Sequence, residues 1–220
     1  MAARSGLSPR VSLLLVGLVI ALIATACGRS GFDYVEYQDE GVFVKVPDEW
    51  AVFETTEVDP PAQIVADILL QPVGGEVPSW QVIIDAGPDA TATNIREPLY
   101  GYPIGLAEVQ PIDPAIRDLF NTSTMRQLAT NFEFDPARPP ETIEGVSVLL
   151  DIDVSSDSLR GNRVVFTRPV AEGVMIVDNL VFVDDLNSRW YRLTLTCEEN
   201  CYRANADLID EIVGSFTVEG

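Results

Sequence analysis

Three cysteines, a few strand-borne aspartates and a complete lack of histidine delimit the chemistry open to this 220-residue chain. Without imidazole there is no Ser-His-Asp triad, no Cys-His pair and no histidine acid–base catalysis, and most zinc and iron sites lose their usual ligand. Cys197 and Cys201 stand four apart in LTCEENCYR. That spacing brings two Cα atoms within disulfide reach where the chain turns, and so small a loop contributes about 2 kcal/mol on chain-entropy grounds. A redox pair fits less well. The pattern is C-x-x-x-C and not C-x-x-C, and Glu198 and Glu199 disfavour a thiolate. The expectation is a clamp at the corner between a strand and a helix.

The aspartates are the next candidates. Asp151 and Asp153 in LLDIDV share one strand face, with Asp157 in the loop beyond. Paired carboxylates can hold Ca²⁺ or act as acid and base, but the spacing is not that of an EF-hand. In so acidic a chain the plainer reading is a solvated strand face. Asp178-Asn179 interrupts the apolar run VMIVDNLVFV. One of the two must face the covered side, either as a satisfied buried polar group or as the lining of a pocket. Asp178 is thus a candidate ligand contact. So is Trp190, which together with Trp50 either packs semi-buried or crowns a groove. No catalytic residue, metal or cofactor is expected, and the chain reads as non-enzymatic.

The third cysteine, Cys27, closes the most apolar stretch. Arg4 and Arg10 precede Val11–Ala26, a run of 16 residues without a charge. A bilayer-spanning helix needs about 20 apolar residues; a positive start, a short apolar middle and a small-residue end describe a secretory signal peptide. Ala24-Thr25-Ala26-Cys27 resembles the lipobox of bacterial lipoproteins, though a larger aliphatic residue usually stands where Ala24 does. The resemblance implies that Cys27 is acylated and becomes the first mature residue. Acyl chains each add about 0.8 kcal/mol per buried methylene. The expected organisation is a lipoprotein signal peptide over 1–26, a short anchored linker over 27–31 and one domain over 32–220.

Removing residues 1–26 takes away two arginines and no acid, so 12 of the 14 basic side chains remain against 34 acidic ones, a formal charge of −22. Nucleic acid is excluded as a partner, because affinity there comes from Lys and Arg. Hydrophobic content of 47% is enough for a proper core. Only Gly28 to Gly31 separate Cys27 from Phe32, a reach of roughly 14 Å, which holds the domain close to the bilayer.

The elements that must position these residues can be read in outline. FDYVEYQ, GVFVKVP and AVFETTE read as strands, followed by two further candidates, IVADILLQPV, which fits a helix as well as a strand, and SWQVIIDAG. Residues 113–132 predict a helix, capped by Asp113 with Pro114 in its first turn and Ile116, Leu119, Phe120 and Leu128 as its apolar stripe. SVLLDIDV, NRVVFTRPV, GVMIVDNLVFVDD and RWYRLTLTC form an antiparallel meander. In the last strand Tyr191, Leu193, Leu195 and Cys197 share one face, and Trp190, Arg192, Thr194 and Thr196 the other. A closing helix over 201–216 turns Ile209, Ile212, Val213 and Phe216 inward. The fold class is α+β, an antiparallel sheet flanked by helices. The Pro/Gly-rich loops 97–105 and 138–145 are candidate partner-binding segments.

YVEYQDEGVFVKVPDEWAVFE and WYRLTLTCEENCYRANADLIDEIVGSFTV resemble the opening and close of PsbP-like domains, which lipoproteins of the actinobacterial LpqN type share. The resemblance implies a Mog/PsbP-like α/β/α sandwich and a binding or assembly role. The expected function is that of a membrane-anchored lipoprotein outside the cytoplasmic membrane, with a protein or apolar small-molecule partner. A lipid or glycolipid carrier with an apolar cavity is the alternative, and a carboxylate-only hydrolase a remoter one.

Overall fold

A computed structural model describes residues 31–54, 78–91, 101–130, 145–156, 158–171 and 173–219. Cys27, the residues before it, the IVADILLQPV segment, Asp157, Tyr100 and most of 138–145 lie outside them. In chain order the strands are β1 (Phe32–Tyr37), β2 (Val42–Pro47), β3 (Ala51–Glu54), β4 (Trp80–Asp85) and β5 (Ile104–Pro111). Helix α1 (Thr122–Thr130) precedes β6 (Ser147–Ser156), β7 (Leu159–Val170), β8 (Gly173–Asp184) and β9 (Arg189–Glu198). Helices α2 (Glu199–Ala204) and α3 (Ala206–Ser215) and a two-residue strand, β10 (Thr217–Val218), close the chain.

The strands form two antiparallel sheets. Seven pair in the order β3-β4-β5-β9-β8-β7-β6, so the expected meander over β6 to β9 is present as consecutive neighbours. The other three pair in the order β1-β2-β10. Gly41, at φ 61°, makes the left-handed turn into β2 that a side chain would oppose. Sheet dominates over helix, and the α/β/α sandwich is met only roughly.

The period-2 alternation of the strands decides where the core lies. One face of the large sheet presents Val82, Ile84, Ala107, Val109, Leu193 and Leu195 to the valines of β2 and to Ile209, Ile212 and Val213 of α3. Several of these are wholly buried, and each such aliphatic side chain contributes about 1.5–3 kcal/mol. The opposite face is covered in part by α1, which packs over β7 and β8. Trp50 packs against the first face and Trp190 is buried in the second.

Two helices depart from expectation. The one predicted from Asp113 begins at Thr122. Asp113 Oδ1 accepts the Ala115 backbone N–H at 2.8 Å and stops the chain in a local turn, followed by a 3-10 turn over Arg117–Leu119. The true cap is Asn121, whose Oδ1 accepts from the Ser123 and Thr124 backbone N–H groups at 2.8 and 3.1 Å. Asn121→Ala is expected to cost about 1 kcal/mol, read as a lower urea midpoint with an unchanged slope, and Asp113→Ala clearly less. The closing helix is also two: Asn205, in a non-helical conformation, separates α2 from α3, and its side-chain amide donates to the Cys201 carbonyl at 2.8 Å.

Candidate functional site

Strand register places a row of polar side chains across the face of the large sheet that α1 partly covers. Gln81 on β4 is opposite Glu108 on β5, and Glu108 is opposite Arg192 on β9. The row continues through Val181 on β8 and Asn162 on β7 to Asp153 on the edge strand β6. Glu108 and Arg192 are each 1% exposed. Gln81 donates to Glu108 Oε2 at 3.0 Å. Arg192 Nη2 meets Glu108 Oε1 as an ion pair, and its guanidinium lies 4.8 Å from the centroid of the Trp190 ring. One row along, Thr194 donates to Asn179 Oδ1 at 2.9 Å, and Asn179 donates to the Ala129 carbonyl of α1 at 2.6 Å.

Not every donor in this row is used. Nε and Nη1 of Arg192 and Nε1 of Trp190 are buried without a hydrogen-bond partner. Two acceptors, Glu108 Oε1 (ion-paired with Arg192) and Asn162 Oδ1, are likewise without a hydrogen bond. Most buried polar atoms in folded proteins are satisfied, so the three donors around Arg192 and Trp190 make this the candidate place on this face for a polar ligand. Trp190, a candidate from the sequence, belongs to it.

Asp178, the other candidate, is on the opposite face, so the two do not form one site. Both Asp178 and Asn179 are buried, because both faces of β8 are covered. Arg163 of β7 grips Asp178 with Nε to Oδ1 at 2.9 Å and Nη2 to Oδ2 at 2.6 Å, and Nη2 also reaches Asp210 of α3 at 2.5 Å. The Tyr202 hydroxyl of α2 donates to Asp178 Oδ2 at 2.8 Å. The neighbouring residue in sequence, Cys201, is bonded to Cys197 of β9 with Cα atoms 5.9 Å apart. Adjacent residues of α2 therefore fasten the closing helices to two neighbouring strands, one covalently and one by a hydrogen bond to a buried carboxylate.

This network holds protons tightly. The hydrogen bond to Asp178, its charge and the pairing with Asp210 keep the Arg163 guanidinium protonated well beyond the ordinary range, despite burial. Burial first, then Asp178, pushes the Tyr202 hydroxyl above the usual tyrosine range. Burial, with Glu40 and Asp184, pushes Tyr191 up to about 12. A raised tyrosine pKa stabilises the fold fully below the unfolded value of about 10, and that stability is lost as pH rises through the folded value. Absorbance at 295 nm should therefore show two late-ionising tyrosines whose titration coincides with loss of circular dichroism above about pH 10. One wave for all six tyrosines before any unfolding would contradict it.

Asp151 and Asp153 do share a strand face, but one guanidinium spans them. Arg126 of α1 donates from Nε to Asp151 at 2.9 Å and from Nη2 to Asp153 at 2.9 Å. Asn162 donates to Asp151 Oδ1 at 2.8 Å. Among the described residues no group of three or more His, Cys, Asp or Glu could hold a metal ion. Sequence reasoning missed Glu108, Arg126, Arg163 and Gln81. The available signal was Arg192 itself, a charge in the middle of a strand whose neighbours Tyr191 and Leu193 must be covered.

Among the described residues no helix is long and apolar enough to cross a membrane. No protein-family model matches the chain, and no curated protein does. Solved structures do resemble it. Cyanobacterial PsbP (CyanoP) of Synechocystis sp. PCC 6803 is similar at 13% identity and a TM-score of 0.49, over 88% of this chain and 95% of that one. LpqN of Mycobacterium tuberculosis, involved in cell envelope biogenesis, is 13% identical over 86% of this chain and 91% of its own, with a TM-score of 0.45. The Ran-binding protein Mog1p of Saccharomyces cerevisiae is 11% identical over 85% and 95%, with a TM-score of 0.44. At these identities and scores nothing about activity passes from them to this chain.

Proposed function

We propose that the protein is a non-enzymatic binding or assembly module, held by acyl chains on Cys27 at the outer face of a bacterial cytoplasmic membrane. Residues 1–26 are its export signal, 27–31 its linker and 32–220 its one domain. The observation that carries this reading is the Cys197–Cys201 bond, a cross-link that persists in oxidising compartments, on a chain that opens with an export-type leader and ATAC. A binding role fits the acids buried beneath its surface. Asp178 is gripped by Arg163 and Tyr202, and Glu108 by Arg192 and Gln81, so both are committed to structure.

Mass spectrometry of protein extracted from its own membrane tests the reading. The expected N-terminal species is acylated Cys27 with Cys197 and Cys201 resistant to alkylation until reduced. Cys27→Ala should leave the membrane fraction and carry no acyl mass. Protein recovered in the cytosol with Met1 intact would overturn the proposal.

A second reading, a carrier, is favoured by the unused donors of Arg192 and Trp190. Those donors ask for oxygen acceptors, which suits the polar part of an amphipathic ligand better than an acyl chain. The layer between α3 and the large sheet is filled by side chains that are wholly buried, Ile84, Leu193, Leu195, Ile209 and Ile212 among them. Native mass spectrometry of the extracted protein would show a co-purifying small molecule under this reading and none under the first.

A further inference from the structure

A groove of about 400 Å³ lies on the outer side of the three-stranded sheet, between it and the end of α3. It holds the chain's one lysine, Lys45. Lys45 Nζ stands 3.5 Å from Glu211 Oε1 and 5.6 Å from the centroid of the Phe32 ring. Tyr34, opposite Lys45 in the β1–β2 register, lines the same groove and is 59% exposed. The Lys45 backbone is itself anchored, donating to Ser215 Oγ at 2.9 Å. The groove thus offers one cation, two carboxylates, of which Glu211 pairs with it and Glu219 lies further along, and an exposed aromatic ring.

Its position is as informative as its composition. Four residues separate Cys27 from Phe32, a reach of roughly 14 Å, and the Gly31 carbonyl accepts from the Asp48 N–H at 3.1 Å, tying the start of β1 to the end of β2. If Cys27 carries the anchor, the end of the molecule with Phe32 and Lys45 is the end that meets the bilayer. The chain after residue 26 as a whole, with its formal charge of −22, is repelled by anionic lipid.

We propose that this groove seats the headgroup of a zwitterionic phospholipid of the anchoring bilayer, and so turns the three-stranded sheet toward the membrane. Lys45 takes the phosphate. Glu211 and the Tyr34 ring take the ammonium group. Tyrosine at this depth lies where aromatic side chains concentrate at membrane surfaces. Glu219 lines the groove and Glu36, opposite Phe43 in the register, stands on the same strand face; both select against a net negative headgroup. The inference rests on the lipid-anchor reading.

The test uses the full acylated protein in vesicles of phosphatidylcholine and phosphatidylethanolamine with brominated acyl chains. Tyr34→Trp adds an indole at the groove, and its extra emission should be quenched by the brominated lipid. Adding Lys45→Glu should reduce that quenching about twofold, as should replacing part of the lipid with phosphatidylglycerol. Circular dichroism checks that each variant is folded, and intact mass is read on the same samples. Quenching equal to that of the parent protein, in a sample whose mass shows acylated Cys27, overturns the headgroup site and leaves the anchor standing. A sample without acyl mass overturns the anchor reading, and the inference with it.

Discussion

Replacing Arg163 by methionine should lower the free energy of unfolding by about 3–5 kcal/mol, the usual cost of stranding one partner of a buried ion pair. Asp178 is wholly buried and has its two oxygens occupied by Arg163 and Tyr202. Methionine keeps most of the volume and removes the charge, so the loss reports the uncompensated carboxylate. Adding Asp178→Asn to that variant should recover part of the loss, because the buried group is then neutral. Tyr202→Phe removes one hydrogen bond and should cost about 1.5 kcal/mol. Urea titration of the Cys27→Ala protein measures all three. If Arg163→Met costs no more than Tyr202→Phe, the ion pair does not hold the closing helices.

Arg192→Met should be as damaging, again about 3–5 kcal/mol, for a pair in which the arginine too is buried. Glu108 would keep only the Gln81 amide. The double variant Glu108→Leu/Arg192→Met removes both charges at similar volume, and apolar replacement of a buried pair is often neutral or stabilising. It should unfold later than either single variant, giving a large coupling energy in the double-mutant cycle. It also separates the two functional readings. A folded double variant that has lost a co-purifying small molecule present in the parent supports the carrier. Additive single losses would mean that the two charges stabilise the fold independently.

Local chemistry was legible in the sequence, and long-range pairing was not. Alternation along β9 divided Tyr191, Leu193 and Leu195 from Trp190, Arg192 and Thr194 correctly, because a pleated strand has only two faces. The cysteine pair was legible because its constraint spans four residues. Glu108 and Arg192 are 84 positions apart, and nothing local links them; their register comes from β5 and β9 meeting across the sheet. The helix start was misplaced because Asp113-Pro114 and Asn121 are both good signals for a first turn, and Asp113 used its carboxylate on a tight turn instead. The pairing of β10 with β2 was invisible because two residues, Thr217 and Val218, carry no periodicity. At Asp178-Asn179 the sequence required one covered side chain. Two were found, since helices lie on both faces of β8.

The crossing of Gln81, Glu108 and Arg192 also solves a problem of alignment. β5 and β9 are rich in aliphatic residues, and sliding one past the other by two positions, about 6.6 Å, would keep every apolar side chain on its proper side. Hydrophobicity alone discriminates poorly against such a slip. Charge does not: in one direction Arg192 would face Leu106 and in the other Gln110, and Glu108 would be left without a counterion either way. The same three residues thus act as a vernier mark, telling two repetitive strands which of several equally greasy alignments is the right one.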